Sequence, residues 1–180
     1  MVEIIKGDIT TAFVDVIVNA ANPQMLGGGG VDGAIHRVAG SKLLEECKKV
    51  KPINGIRCPI GEARITSAGN LNAKFVVHTV GPRYDIDKNP QKLLESSYRN
   101  SLNLAISSNC TSVAFPAISC GVYGYPLVEA AKISISVCME DFAQKLKIYF
   151  YLFNDELVHI WNSTLNSYLA NTVGCIKWLL

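Results

Sequence analysis

At 180 residues the chain is long enough for one domain with a full hydrophobic core. Hydrophobic residues make up 49% and charged residues 18%, which excludes a disordered chain, and the net charge of +2 gives no electrostatic basis for binding nucleic acid. No apolar run approaches the roughly 18 residues of a membrane span. We expect no signal peptide, because the chain starts directly with a strand-like segment, Val2–Ile5.

Cysteine and histidine usage gives no sign of a metal centre. The six cysteines are scattered without a CxxC pair, and the histidines at His36, His78 and His159 lack the spacing of zinc ligands. We therefore expect no metal. Free thiols are typical of a reducing compartment, so we expect a cytoplasmic protein.

The first predicted elements are strand, turn, strand and helix. Val2–Lys6 forms the first strand, and Gly7–Thr10 turns the chain. The next strand, Val14–Asn19, is apolar on both faces, as expected of a central strand covered by helices. After a glycine-rich loop, Val31–Ala39 is predicted as a short helix closed by Gly40.

A second helix follows, and then two strands. Ser41 is the expected N-cap of this helix, which Pro52 ends. A loop rich in Pro and Gly leads to strands at Glu62–Ser67 and Lys74–Val80. The apolar face of the helix consists of Leu43, Leu44, Cys47 and Val50.

The pattern of helix and strand continues to the end of the chain. A long helix covers about Pro90–Ser108, and a buried strand follows at Ser112–Phe115. Pro126 suits the first turn of the next helix. The strand Lys147–Phe153 comes last, and Asn154 is the expected cap of a final helix. The buried stripe predicted for the helix after Pro126 is Val128, Ala131, Ile135, Cys138 and Phe142.

This alternation favours a three-layer α/β/α domain. We place the domain at residues 1–170 and leave residues 171–180 as a short apolar tail without an assigned structure. No repeat, low-complexity tract or interdomain linker interrupts the chain.

The loop after the second strand holds four consecutive glycines, Gly27–Gly30. Glycine loses the most conformational freedom on folding, so such a run indicates positive φ angles or close backbone approach to a ligand. A glycine-rich turn that opens onto a helix N-terminus is an anion site. Asp32 is well placed to act on whatever that site holds.

Two standard phosphate motifs fit this loop poorly. Gly28, Gly30 and Gly33 form G-x-G-x-x-G, but the loop before them is too long and the acidic residue of a dinucleotide site is missing. No Gly-Lys-Ser/Thr follows, which excludes a Walker loop.

A second glycine-containing loop, Ala117–Tyr125, also joins a buried strand to a helix. Ligands of open α/β sheets lie beyond the carboxyl ends of the strands. Two such loops at that edge predict a site for two phosphates, that is, a diphosphate.

Four motifs together resemble the macrodomain family: Gly7-Asp8-Ile9, Asn19-Ala20-Ala21-Asn22, GGGGVDGAIHRVAG and ISCGVYGYP. The resemblance is greatest to the MacroD-type branch, whose members remove ADP-ribose from acidic side chains and deacetylate O-acetyl-ADP-ribose. It covers roughly residues 1–170. It implies a mixed six- or seven-stranded sheet between helices, with ADP-ribose across its top.

The resemblance also implies a role for each motif residue. A buried Asp8 would accept a hydrogen bond from the adenine amino group, helped by the backbone of Ile9. An Asx turn after Gly7 is the structural alternative, and it is also compatible with this role. Asn22 would hold the distal ribose beside Asp32, and these two are the predicted catalytic residues. The other predicted contacts with ADP-ribose are Asn19, Gly29, Gly30 and Val31, the phosphate loop of Ser119, Cys120, Gly121, Val122, Tyr123 and Gly124, Tyr125 at the distal ribose, and Phe153 at the adenine.

The implied chemistry needs one acid. Asp32 would orient or deprotonate a water, assisted by the phosphate of the ligand. The water would attack the anomeric carbon of a protein adduct, or the carbonyl of an acetyl ester. We expect ADP-ribose, its esters and mono-ADP-ribosylated proteins as partners, no cofactor, neither membrane nor nucleic acid, and a monomer.

Alternatives remain for several of these residues. Cys120 could be a nucleophile, although no histidine is placed near it by sequence. His36, one helical turn after Asp32, could form a dyad with it or simply pack. The basic run 48–51 is interpreted as a solvated helix end. For the whole protein, the alternative is an ADP-ribose reader without turnover, and binding of RNA or poly(ADP-ribose) in the same cleft is a third.

Overall fold

The structure, a computed structural model, describes the backbone of residues 1–176 and the side chains of residues 1–172. The strands are β1 Val2–Lys6, β2 Val16–Ala20, β3 Ala63–Ser67, β4 Phe75–Thr79, β5 Ser112–Phe115 and β6 Lys147–Leu152. The α-helices are α1 Gly30–Ala39, α2 Ser41–Lys49, α3 Pro90–Ser107, α4 Leu127–Cys138 and α5 Asp155–Ile176. Short 3-10 helices lie at Ile9–Thr11 and Asp141–Ala143.

The six strands described form one mixed sheet in the order β1-β6-β5-β2-β4-β3. All neighbouring pairs are parallel except β3 with β4. The prediction of a mixed sheet with six or seven strands is therefore confirmed, with six. The carboxyl ends of β1, β2, β4, β5 and β6 consequently meet at one edge, which we call the C-terminal edge of the sheet.

Helices cover both faces of the sheet, as predicted. β2 is fully buried: Val16 and Val18 pack on one side, and Ile17 packs on the other. Such a strand, apolar on both faces, is typical of the centre of a parallel sheet. On the first side lie α3, α4 and α5, and on the second lie α1 and α2.

Several local predictions about helix ends are wrong. Ser41 is the first residue of α2, and Gly40 is its N-cap. Gly40 also ends α1, and its φ of 77° is one that glycine adopts readily, so a single residue serves both helices. Pro126 is the N-cap of α4 and not part of its first turn.

The predicted stripe on α4 is only partly correct. Ala131, Ile135 and Cys138 are buried, whereas Val128 is half exposed. Phe142 lies beyond the end of α4, in the second 3-10 helix, where the guanidinium of Arg99 lies 5.3 Å from the centre of its ring. A periodic pattern cannot distinguish the last turn of a helix from a short 3-10 segment that continues it.

The final helix begins as predicted and runs further than predicted. The Asn154 side-chain oxygen accepts a hydrogen bond from the Leu157 backbone N–H at 2.8 Å, which confirms the cap. α5 continues to Ile176, so the segment set apart as a tail begins inside this helix, and residues 177–180 lie outside the described residues. None of the helices described is both long and apolar enough to span a bilayer.

Candidate active site

The loops after β1 and β6 bring the predicted adenine residues together. Gly7 N–H donates to the Leu152 carbonyl at 3.0 Å, so Asp8, Ile9 and Phe153 follow two strand ends that lie side by side. Ile9 is buried, and the Phe153 side chain is 78% exposed at the C-terminal edge. This end of the edge therefore offers an apolar surface large enough for a base.

Asp8 is exposed, so the expectation of a buried carboxylate is wrong. Its Oδ1 accepts a hydrogen bond from the Thr10 N–H at 2.9 Å and caps the first 3-10 helix. The Asx turn, the structural alternative for Asp8, is thus present, and it is compatible with the predicted role in binding. The capping bond fixes where the carboxylate points.

The loop after β2 is organised by Asn22. Its Nδ2 donates to the Gly27 carbonyl at 2.9 Å, and its Oδ1 accepts from the N–H groups of Gln24 and Met25 at 3.1 and 3.2 Å. The same Nδ2 lies 3.4 Å from Oδ2 of Asp32. Asn22 therefore shapes the glycine loop and also contacts the acid.

Asp32 lies in the first turn of α1 and is only 3% exposed. Its Oδ1 accepts a hydrogen bond of 2.7 Å from Nδ2 of Asn19, a fully buried residue of β2. Burial raises the pKa of Asp32, and the bond from Asn19 and the proximity of His36 oppose that rise. A carboxylate with a raised pKa is a better base toward water than an ordinary aspartate.

The glycines let the first loop close tightly over Asp32. A Cβ on Gly28 would stand 2.8 Å from Oδ2 of Asp32, and a Cβ on Gly33 would stand 2.5 Å from the Gly28 carbonyl oxygen. Gly29 and Gly30 face open space, and the N-terminus of α1 that follows them has no side-chain cap. The N–H groups of this turn are therefore suited to an anion. Val31, the second residue of α1, belongs to the same turn.

The second loop is a tight turn with a strained residue. Ser119 is buried and has a φ of 66°, which is uncommon outside glycine. Tyr125 N–H closes the turn on the Ser119 carbonyl at 3.0 Å, and Gly124 N–H donates to the Gly121 carbonyl at 3.0 Å. Val122 at the tip is fully exposed.

Two neighbours hold the second loop in place. The buried hydroxyl of Tyr98 on α3 accepts a hydrogen bond from the Ile118 N–H at 3.2 Å. The backbone of Gly81 approaches so closely that a Cβ there would stand 2.2 Å from Oγ of Ser119. Tyr123 is joined to the loop after β4 by a 2.9 Å bond from the Tyr84 N–H to its carbonyl. Neither Tyr98 nor Gly81 was predicted to support the site.

Cys120 has the properties of a packing residue. Its Sγ lies 3.5 Å from the Ile118 carbonyl, and burial raises its pKa to about 12. The thiolate is the nucleophilic form of cysteine, so this thiol is unreactive at neutral pH. The structure therefore gives no support to the nucleophile alternative.

A polar cluster that sequence analysis missed lies beneath Asp32. His78, on β4, is fully buried, and its Nδ1 lies 3.2 Å from Nδ2 of Asn19. Its Nε2 lies 3.0 Å from Oγ1 of Thr66. His36 Nε2 lies 3.5 Å from Oδ1 of Asp32 without forming a hydrogen bond. The available signal was a histidine inside an apolar strand, but only the strand register shows that it faces Asn19.

The structure also brings together three potential metal ligands that no sequence motif predicted. Atoms of His36, Cys47 and His78 all lie within 4.8 Å of one another. Both nitrogens of His78 already have hydrogen-bond partners, and burial raises the pKa of the Cys47 thiol to about 11. The chemistry of this set is that of neutral, hydrogen-bonded groups and not of a thiolate site.

Comparison with known proteins gives a consistent result. A family model described as Macro domain matches residues 18–134. The chain is 56% identical to a macro domain-containing protein of Vibrio parahaemolyticus, over 93% of this chain and 98% of that protein. It is 49% identical to the O-acetyl-ADP-ribose deacetylase of Escherichia coli strain K12, over 91% of this chain and 94% of that protein. The macrodomain of Oceanobacillus iheyensis, in a structure with ADP, superposes with a TM-score of 0.90 at 40% identity, over 94% of this chain and 92% of that one.

Proposed function

The chain belongs to the macrodomain family, and from the geometry of its cleft we propose that it binds ADP-ribose and hydrolyses esters of it. The observation that carries the proposal is the position of Asp32, a buried acid at the start of α1 that two asparagines contact. A purely binding site has no need for a carboxylate in a place where burial opposes its charge. The deacetylases among its relatives support the same conclusion.

In this proposal the ligand spans the C-terminal edge of the sheet. The adenine lies against Phe153, with its amino group toward Asp8 and Ile9. The diphosphate lies between residues 29–31 of the glycine loop and residues 119–124 of the second loop, where backbone N–H groups, and not basic side chains, hold the phosphates. The distal ribose lies by Asn22, with Tyr123 and Tyr125 as its wall.

We propose that Asp32 activates water for deacetylation. The water oxygen bonds to the acetyl carbonyl carbon while Oδ2 of Asp32, the oxygen on the side of Asn22 and Gly28, takes its proton. The bond from that carbon to the ribose oxygen then breaks, and the proton passes to the departing oxygen. The products are acetic acid and ADP-ribose.

The same arrangement serves an ester between the ribose and an acidic side chain of a protein. Water adds to the anomeric carbon and gives up a proton to Asp32, which passes it to solvent, while the bond to the side-chain carboxylate breaks and the carboxylate leaves as a stable anion. Positive charge develops on the sugar during this step, and the carboxylate of Asp32 stabilises it. Mono-ADP-ribosylated proteins are therefore proposed substrates.

The test follows acetate released from O-acetyl-ADP-ribose and ADP-ribose released from a protein modified on Asp or Glu. Asp32→Asn keeps the shape of the side chain and its bond to Asn19 but removes the base. We expect turnover to fall by about two to four powers of ten, with ADP-ribose affinity by calorimetry nearly unchanged. Asp141→Asn, an exposed acid on the second 3-10 helix, is the control and should match the wild type.

Two results would contradict the hydrolase. If the wild type binds ADP-ribose but releases no product from either substrate, the protein is a reader. If Asp32→Asn turns over at the wild-type rate, the chemistry belongs to another group. Activity on only one of the two substrates would agree with the proposed hydrolase and would identify which ester it cleaves.

We also propose a monomer in the cytoplasm. What supports the location is that the five cysteines whose side chains are described are free thiols, as is usual in a reducing compartment. Gel filtration with light scattering tests the monomer. A steep salt dependence of RNA affinity would revive a nucleic-acid role, which the net charge of +2 does not favour.

A further inference from the structure

A single histidine lies at the centre of the buried polar cluster under the proposed active site. His78 pairs with Asn19 in the register of β2 and β4, so their side chains point to the same face of the sheet. Both residues are completely buried. Polar side chains are rarely placed so deep unless each donor and acceptor has a defined partner.

The hydrogen-bond partners determine which nitrogen of His78 carries the proton. Nδ2 of Asn19 has two hydrogens and can only donate; one goes to Oδ1 of Asp32 at 2.7 Å and the other to Nδ1 of His78 at 3.2 Å. Nδ1 must therefore accept, which leaves the proton on Nε2. That N–H donates to Oγ1 of Thr66 at 3.0 Å, and the Thr66 hydroxyl donates to the Ser67 carbonyl at 3.1 Å.

The amide of Asn19 is held only through its nitrogen. Its Oδ1 is buried and has no hydrogen-bond partner among the described residues. Without an acceptor at His78, the second hydrogen of the Asn19 amide would be buried without a partner, and only the bond to Asp32 would hold the amide. An amide that rotates to give that hydrogen a partner weakens its bond to Asp32, which is the shortest hydrogen bond of the carboxylate.

We propose that His78 is a positioning residue for the ester hydrolysis: its Nδ1 fixes the Asn19 amide, and the amide in turn fixes the Asp32 carboxylate. This inference rests on the proposed function for its effect on turnover, but the hydrogen-bond chain itself is independent of catalysis. His78 is completely buried and has no hydrogen bond to Asp32 among the described residues, so it acts through Asn19.

Burial supports this assignment because it keeps the imidazole neutral. Burial and, to a smaller extent, the proximity of His36 lower the pKa of His78 to about 3. An imidazolium would donate from both nitrogens and could not accept from Asn19. The other ionisable groups that face the cluster are His36 on α1, Cys47 and Glu46 on α2, Arg57 on the following loop and Tyr123 on the second loop.

The test uses two substitutions of equal shape. His78→Asn can place its Oδ1 where Nδ1 of the imidazole lies and so can accept from Asn19. His78→Leu branches at the same atom but offers no acceptor. Both leave a similar cavity, so any difference between them reports the hydrogen bond and not the loss of packing. Ser101→Ala, which removes a buried hydroxyl of α3 that bonds only within its helix, controls for a general loss of stability.

The first readout is the titration of the Asp32 carboxyl followed by 13C NMR, which needs no turnover. We expect the midpoint in His78→Leu to move up by about one pH unit, because the stabilising bond from Asn19 is lost, and to stay near the wild-type value in His78→Asn and Ser101→Ala. An unchanged midpoint in His78→Leu would overturn the inference. This outcome is distinguishable from failure of the hydrolase, which would appear as a wild type without turnover.

The second readout is the kinetics. In His78→Leu we expect kcat to fall about ten- to a hundredfold with KM nearly unchanged, and the acidic limb of the pH profile to move up with the Asp32 midpoint. Combining His78→Leu with Asn19→Ala should cost no more than Asn19→Ala alone, since His78 acts through that amide. Fully additive losses would overturn the inference.

If His78→Leu does not fold, Thr66→Val replaces it. Valine keeps the shape of threonine on β3 and removes the hydroxyl, which is the nearer acceptor for Nε2–H; Sγ of Cys47 lies 3.6 Å from the same nitrogen. The preference of the His78 proton for Nε2 is then weaker. We expect the same changes in the Asp32 midpoint and in kcat, but smaller ones. A Thr66→Val protein with the wild-type Asp32 midpoint and the wild-type 15N shifts of His78 would contradict the chain of hydrogen bonds.

Discussion

Asp32 is held in its charged form where burial opposes that charge. Burial raises its pKa above the ordinary 3.8, so as pH rises the folded protein keeps a proton that the unfolded chain has already released. The Asp32 carboxyl therefore lowers the free energy of unfolding at pH values above its raised pKa. At pH values below the ordinary pKa it has no such effect. Stability and activity oppose each other at this residue.

We predict that Asp32→Asn melts at a higher temperature than the wild type at pH 8, by roughly 2–4 °C, the shift that about 1 kcal/mol produces in a domain of this size. The amide has no charge to desolvate and still accepts from Asn19. The difference should be smaller at pH 5, because the wild type is then closer to the protonated form. Scanning calorimetry at both pH values measures it, and a wild type at least as stable as the variant at pH 8 would contradict it.

That Asp32 and Asn22 lie close together could be predicted from the sequence: the glycine run points to Asp32, and the resemblance of its motif to macrodomains points to Asn22. Their supporting partners could not. Asn19 and His78 are separated by a long stretch of chain, and only the parallel pairing of β2 with β4 brings them together. Asp8 is exposed, contrary to the prediction, because its loop lies at the C-terminal edge of the sheet.

At the scale of elements, the glycine loop and α1 form one unit. The loop folds back so that the Gly28 carbonyl lies against the first turn of α1, at Gly33. Only the absence of a side chain at Gly33 permits that contact. The helix start that presents Asp32 and the loop that covers it are therefore positioned by the same close approach.

Gly33→Ala is predicted to lower the free energy of unfolding by about 1–3 kcal/mol, the usual cost of overpacking, although alanine is the better helix former. Its Cβ would stand 2.5 Å from a backbone oxygen. Gly29→Ala is the matched control, since its backbone is extended and a Cβ there meets nothing within 4 Å. Urea denaturation compares the two. Equal stability of both variants would contradict the prediction, because it would mean that the loop shifts to accommodate the Cβ without a loss of free energy.

The order of strands and helices was predictable because each element carries its own period, and β1 has the bounds predicted for it. The ends of elements were less predictable. Gly40 serves two helices at once, and Phe142 continues the period of α4 after α4 has ended. The periodic pattern of one helix shows neither a residue shared with the next helix nor the point at which the helix ends.

At the scale of the whole molecule, the contacts that stabilise the strand starts and the proposed ligand site lie at opposite edges of the sheet. Asp15, just before β2, accepts hydrogen bonds from the N–H and the hydroxyl of Thr111 at 2.7 and 2.8 Å, and pairs with Lys74 at 2.8 Å. These contacts join the starts of β2, β4 and β5, far from the C-terminal edge. They hold the pKa of Asp15 well below its usual range.

Asp15→Asn should therefore lower the free energy of unfolding by about 1–2 kcal/mol at pH 7 and leave ADP-ribose affinity unchanged. A carboxylate with a lowered pKa stabilises the fold above its ordinary value of 3.8, and the contribution is lost as pH falls through the folded value. The variant and the wild type should converge as the pH is lowered below 3.8. Urea unfolding across that range tests this, and a constant gap would contradict it.

The proposed adenine end of the cleft is built from the first and the last strand of the sheet in chain order. Among the strands described, β1 pairs with β6 alone, and β6 becomes available after almost all of the preceding chain has been made. During synthesis β1 has to wait without a partner, while β2, β4 and β5 can already assemble. We therefore expect the glycine loop and α1 to form on the ribosome before the proposed adenine end of the cleft. The nascent protein then binds its proposed ligand only after β6 has joined the sheet.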